Sequence, residues 1–256
     1  MGNVGGVDFL ITAENRDAIN KIKETENVIG SMTNKLGGIK DLMQTAFKAI
    51  AIVESGKQLY NFGMQCVELS SKANEMQNVI STVFKESADD INEWAEITGK
   101  AMGRSTLQMA DFASQAGAVL SGMGKSGEEL ENMSEGFSRL AVDIASFWNV
   151  ADVEAFTALR AAISGETEPM KRFGVVMTEA NLSAFALEQG IRKKISAMTE
   201  DEKTTLRYNF LLEKTKNAQG DAEKTINSYA NQVKVLESNF KNLGQAIGDS
   251  LKPILL

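Results

Sequence analysis

Histidine is absent from all 256 residues, and with it go the Ser-His and Cys-His catalytic pairs, the HExxH zinc motif and the usual proton shuttle near neutral pH. Cysteine occurs once, at Cys66, which excludes an internal disulfide or a cysteine metal cage, suits synthesis in a reducing cytoplasm, and predicts a small apolar packing residue. A basic surplus is missing too. The net charge is −7, and the densest basic run, Arg192, Lys193 and Lys194, reads as a solvated helix face, so direct sequence-specific binding of nucleic acid is not expected. No apolar run is long enough to span a bilayer as a helix. Carboxylate pairs or a Ser-Lys arrangement are the catalytic tools left, and none stands out among 34 acidic residues, so the sequence predicts no enzyme, no cofactor and no metal site.

What is present is a helical sequence. The apolar fraction of 43% is ordinary for a globular protein, and 21 singly spread glycines with 2 prolines predict long helices ended by glycine caps. We expect an all-α fold: an arm over residues 1–14, a long helical or coiled-coil region over 15–86, a compact bundle over 87–222, and a C-terminal coiled-coil-like helix over 223–256. The opening MGNVGG lacks a basic and apolar leader, and Gly6 replaces the hydroxyl of a myristoylation signal, so neither secretion nor lipidation is read from it. Residues 7–12 are the best strand candidate. Over residues 18–53 a heptad seam runs through Ile22, Thr25, Ile29, Met32, Leu36, Ile39, Met43, Ala46, Ile50 and Val53, flawed by Gly37 and Gly38. Tyr60, Met64 and Val67 continue it, either as a bundle helix or as a self-associating coiled coil.

Helix starts follow at Ser87, Ser105, Ser126 and Thr199, each three residues before an acidic or amide side chain that closes a capping box or a weaker relative. The helix begun at Ser126 carries a stripe of Leu130, Met133, Phe137, Leu140, Ile144 and Phe147 that belongs in a core. Beside it lies Asp143, expected to be partly buried and ion-paired with Arg139, Arg160 or Arg172. The GMGKSG stretch, 122–127, lacks the Walker spacing because residue 119 is Val119, and no strand precedes it.

The densest punctuation is the elbow over residues 159–177. Gly165 is placed to close one helix in a left-handed conformation, and Glu166 and Glu168 sit at the positive end of the next turn. Pro169 fits the first position of that turn, Gly174 stops it after Phe173, Val175 to Met177 reads as extended, and Thr178 caps another helix. The spacing predicts an architectural helix-loop-helix corner. Near the end, Ile226, Tyr229, Val233, Leu236, Phe240, Leu243 and Ile247 form a second heptad seam, broken at Pro253. Tyr229 and Phe240 are too large for a two-stranded core, so this seam predicts three or more strands, or burial of the helix against the bundle. The apolar end Ile254, Leu255, Leu256 leads us to expect that the chain continues.

Four stretches together resemble the N-terminal region of phage tail tape measure proteins: MGKSGEELENMSEGFSRLAVDIASF, ALRAAISGETEPMKRFGVVMTEANL, MTEDEKTTLRYNFLLEKT and GDAEKTINSYANQVKVLESNFKNLGQAIG, in that order between residues 103 and 253. The sequence departs from the family at Gly220, Asp221, Ala222, Glu223, Lys224 and Thr225, where an aromatic and an arginine are usual in place of Ala222 or Lys224. The resemblance implies a structural protein in the lumen of a phage, prophage or tailocin tail tube, made in the host cytoplasm, that sets tube length and assists genome ejection. Its implied partners are further copies of itself through coiled-coil helices, tail tube proteins, and tail tip or assembly chaperone proteins, with membrane contact only during ejection. The rival reading is a membrane-active helical protein, pore-forming or secreted, with FKAIAIV, 47–53, as its nearest apolar hairpin.

Overall fold

The structure, a computed structural model, describes the backbone of residues 56–255 and the side chains of residues 64–249. Among the described residues the fold is all-α, with nine α-helices, three short 3-10 turns and no strand. The strand expected at 7–12 and the heptad seam expected at 18–53 lie outside the described residues. Helix α1 is Gly56–Phe84, followed by α2 (Ala88–Met102), α3 (Thr106–Gly122), α4 (Gly127–Phe147), α5 (Asp152–Ser164), α6 (Glu179–Glu188), α7 (Glu200–Lys214), α8 (Asp221–Lys224) and α9 (Tyr229–Leu255). None of the described helices is long and apolar enough to cross a membrane.

The chain divides into two compact units, one of residues 72–243 and one of the segments on either side of it. In the larger unit α4 is central, touching α2, α3, α5 and α8. Its side chains Leu130, Met133, Phe137, Leu140 and Ile144 are buried as the spacing predicts. Phe147 is not: it is the last residue of the helix and is 48% exposed. Three helices meet where Phe112 of α3 stacks on Phe156 of α5 at 4.3 Å and Phe137 of α4 meets Phe156 edge-on at 5.7 Å. Burial of each such ring stabilises the fold by about 1.5–3 kcal/mol, so this cluster outweighs any single surface ion pair. Close approach of α1 and α3 is made possible by Gly117, where an added Cβ would run into Phe84.

The predicted starts divide by mechanism. Thr199 forms a full capping box with Glu202, and the Ser105 hydroxyl accepts from the Gln108 amide. Ser87 makes no such bond, because a 3-10 turn, Lys85–Ser87, already leads into α2. Ser126 makes none either, and the Glu129 carboxylate that would close the reciprocal half of a box is paired with Lys125.

In the smaller unit the described parts are residues 56–71 and 244–255. There Gly244 lies against Leu69 and Gly248 against the Cys66 carbonyl, leaving no room for a side chain on Gly248, and Ser70 donates a hydrogen bond to Asp249. Cys66 is buried as expected, and burial pushes its thiol up to about 11. The buried line here passes through Cys66 and Ser70, while Met64 of the expected register is 44% exposed. Helix α9 runs on to Leu255 rather than breaking at Pro253, since a proline in the last turn removes only one late bond of the ladder.

Candidate functional site

The elbow is built as its residues require. Gly165 closes α5 with φ +103°, and the amides of Gly165 and Glu166 bond back to Ala162 and Ala161 at 3.0 and 2.9 Å. Arg207 of α7 lies over this corner, 3.0 Å from where a Cβ on Gly165 would stand, and donates to the Ile163 carbonyl at 3.1 Å. Pro169 sits in the first turn of a 3-10 segment, Glu168–Phe173, which Gly174 ends with φ +77°. Phe173 and Met170 are buried, Glu168 pairs on the surface with Lys171 at 2.7 Å, and Glu166 is exposed. Val175, Val176 and Met177 join no sheet; Val175 and Met177 turn into the core, and Thr178 caps α6 by accepting from the Asn181 amide. The seven residues singled out from sequence therefore do not form one site: six shape the elbow, and Asp143 serves another joint.

Asp143 is buried, but its expected arginine partner is replaced by backbone. Its carboxylate accepts from the Gly220 amide at 2.8 Å and the Ala222 amide at 3.2 Å, anchoring the start of α8 to α4. Burial raises its pKa, and the two amide donors and the Arg139 charge recover only part of that shift. The three candidate arginines are used elsewhere: Arg139 pairs with Glu223 at 2.7 Å, Arg160 donates to Gln115 at 3.0 Å, and Arg172 pairs with Glu154. An amide-rich turn folded over the carboxylate satisfies it without a buried cation.

The ion pair buried in this fold is a different one, and it escaped the sequence reading. Arg104, directly after the left-handed cap at Gly103, grips Asp152 in the first turn of α5 through Nε and through Nη2 at 3.1 Å. Gln108 of α3 donates to the same carboxylate at 2.7 Å, and Lys234 of α9 at 3.1 Å. Burial alone would push Asp152 up, yet the Arg104 hydrogen bonds and charge, backed by Lys234 and Gln108, hold it below the usual carboxylate range. Four elements or their connections meet at one carboxylate. The only sequence signal was an acid at a helix start, which is too common to single out.

Lys125 is the second buried cation. Its ammonium, 1% exposed, reaches Glu129 at 2.5 Å, Asp201 at 2.8 Å and Thr205 at 2.6 Å, so all three donors are used in tying the glycine-rich turn to α7. Burial lowers its pKa, but the hydrogen bonds and charges of Asp201 and Glu129 carry the balance upward. The GMGKSG turn is a staple between helices. A cavity of about 310 Å³ between α6 and α7, lined by Phe185, Asn209, Leu212 and Glu213 among others, also contains Lys216, whose ammonium is already paired with Glu213 at 2.7 Å. Among the described residues no group of three or more His, Cys, Asp or Glu side chains is placed to hold a metal ion.

No protein-family model, no curated protein and no solved structure matches this chain. Its polar chemistry must be read from its own geometry, and that geometry joins helix to helix.

Two surfaces depart from this inward pattern. Trp148, 45% exposed, lies edge-on between Phe147 and Phe173 at 5.8 and 6.3 Å, and Arg172 covers the Phe173 ring at 5.1 Å. The other is α9, whose seam was expected either to pack on the bundle or to assemble in strands. The middle of the seam does not pack inward: Tyr229 is 88% exposed, Leu236 and Phe240 51% each, and Val233 39%, whereas Ile226 and Leu243 are half-buried and Ile247 is buried. Toward the rest of its unit α9 turns Asn231, Lys234 and Ser238 instead, because those side chains find partners there: Asn231 reaches Thr225 and Ser146, Lys234 reaches Val150 and Asp152, and Ser238 reaches the Gly103 carbonyl.

Proposed function

We propose that this chain is part of a structural protein of a phage, prophage or tailocin tail, the N-terminal portion of a tail tape measure protein. In this reading it lies within the tail tube, is made in the bacterial cytoplasm, and works through contacts with its own copies, with tube proteins and with tail tip or chaperone proteins. The observation that carries the reading is where the four resembling stretches fall. The first covers the Lys125 staple and α4, the second covers α5, the elbow and the start of α6, the third covers the Thr199 capping box and α7, and the fourth covers α8 and most of α9. Each stretch builds a joint between helices, the role expected of a scaffold.

The test is genetic and structural. Removing the gene from the source strain should abolish mature tails, and in-frame shortening of the helical part of the complete gene should shorten the tube in proportion, read by electron microscopy. Tails of normal number and length in the deletion strain would refute the assignment.

A further inference from the structure

We propose that the connection between α6 and α7 is a cleavage site for a protease that cuts after arginine or lysine, and that the divided chain keeps its fold. The inference does not depend on the tail reading. The basic run Arg192, Lys193 and Lys194, expected on a solvated helix face, lies in this connection and off any helix. Gly190 takes φ +78° and the Ile191 amide bonds back to the Ala186 carbonyl at 2.8 Å, which closes α6 before the run begins. From there to α7 the chain holds one 3-10 turn, Ile195–Ala197, and is otherwise irregular. Between Ala186 and Met198 no side chain is buried, and even Leu187 and Ile191 are 64% and 39% exposed. The amides of Arg192 through Ser196 make no backbone hydrogen bond among the described residues.

A protease takes its substrate as an extended strand, so a chain must give up its native contacts before it can be cut. Here almost none have to be given up. Other connections with exposed cations are better held. In the elbow Lys171 and Arg172 pair with Glu168 and Glu154, and Met170, Phe173, Val175 and Met177 fix the backbone to the core. After α7, Lys216 pairs with Glu213 at 2.7 Å, and the amides of Ala218 and Asp221 are bonded. Arg104 and Lys125 are buried. In the basic run Lys193 is tied to Glu202 at 2.5 Å, but Arg192 and Lys194 pair with no acid among the described residues. Either side chain is free to enter the acidic pocket of a trypsin-like protease. Water then adds across the peptide bond that follows it: the C–N bond breaks, the carbonyl carbon gains the hydroxyl, and the departing nitrogen gains the proton. The two pieces stay joined by contacts that cross the cut. Lys125 holds Asp201 at 2.8 Å and Thr205 at 2.6 Å, Arg207 donates to the Ile163 carbonyl at 3.1 Å, and Phe185 meets Phe210 edge-on at 5.4 Å, with Leu206 and Leu211 buried beside them.

Limited digestion of the native 256-residue chain with trypsin, read by intact mass and N-terminal sequencing, tests the site. Among residues 64–249 the first cut is expected after Arg192 or Lys194, giving a C-terminal piece that begins at Lys193 or Ile195. The pieces should elute together from a sizing column, part only in denaturant, and keep the helix content of the uncut chain. The variant carrying Arg192→Gln, Lys193→Gln and Lys194→Gln should melt as the wild type does and lose tryptic cutting at this connection. Subtilisin, which does not require a basic residue, should still cut that variant between Leu187 and Ala197, because access comes from the unanchored backbone. A first tryptic cut elsewhere among these residues, or a connection that subtilisin spares, would overturn the site. Pieces that part or unfold once the chain is cut would overturn the claim that the fold survives.

Discussion

Helices α4 and α9 carry nearly the same apolar rhythm and use it in opposite ways. In α4, Leu130, Phe137 and Leu140 are at most 3% exposed; in α9, Leu236 and Phe240 are half exposed. The difference lies on the other side of each helix. Opposite the α4 stripe stand Glu128 and Asn132, both exposed, and half-buried Glu131, polar side chains for which water is the ordinary surrounding. Opposite the α9 stripe stand Asn231, Lys234 and Ser238, each matched to a carbonyl, hydroxyl or carboxylate of the bundle. A period shows that a helix has an apolar side; the polar partners awaiting it decide which side turns inward.

The largest effect should come from breaking the inward stripe. Phe137→Ala removes the ring that meets Phe156 and is expected to destabilise the chain by about 4 kcal/mol, measured by urea unfolding, whereas Phe240→Ala in the outward stripe should change the monomer by less than about 0.5 kcal/mol. Equal losses would abolish the distinction between the two helices.

Next is the carboxylate that orients α9. Asp152→Ala leaves Arg104 buried and unpaired and should cost about 3 kcal/mol near neutral pH. The folded pKa of Asp152 is depressed, so its contribution is fully present above the ordinary carboxylate value of 3.8 and is lost as pH falls through the lower folded value. Unfolding curves of wild type and variant should therefore converge in strong acid. Curves that keep a constant separation down to the lowest pH would remove Asp152 from the account.

The elbow should respond more modestly. Gly165→Val forces a branched residue to φ +103° beneath Arg207 and is expected to lower stability by more than about 1 kcal/mol, while Glu166→Gln should have little effect. An unchanged melting temperature for Gly165→Val would show that no such cap exists.

The smallest effect reverses sign from the usual surface acid. Glu135 on α4 is half-buried, and burial, the Glu131 charge and Asp90, opposed by Arg139, raise its pKa to about 7. The folded state holds this proton more tightly than the unfolded one, so stability falls as pH rises from about 4.5 toward 7. Glu135→Gln should melt slightly higher than wild type above pH 7 and indistinguishably below pH 4.5. A variant that melts lower at every pH would mean that the carboxylate has a stabilising partner.

The legible parts of the sequence were those ruled by local chemistry. Gly165, Gly174, Pro169, Thr178 and Thr199 each act within three or four residues of themselves, and the structure uses them as their spacing predicts. Asp143 and Asp152 were harder because their partners lie 77 and 48 residues away, and nothing nearby distinguishes a carboxylate met by amides from one met by arginine. Lys125 was read only as part of a failed phosphate-loop pattern, since its link to Thr205 spans 80 residues. The all-α class followed from glycine, proline and periodicity; the direction in which α9 faces depended on long-range partners.

Those long separations also order events in time. Helices α2 to α5 pack mainly on neighbours in sequence, where little chain must be closed before contacts form. The bonds from α9 to Asp152, Val150 and Gly103 close loops of 82, 84 and 135 residues, so loop closure favours docking of α9 after the bundle has formed. On a ribosome the bundle can be complete while α9 is still emerging, so the order of synthesis matches the order in which these contacts can close.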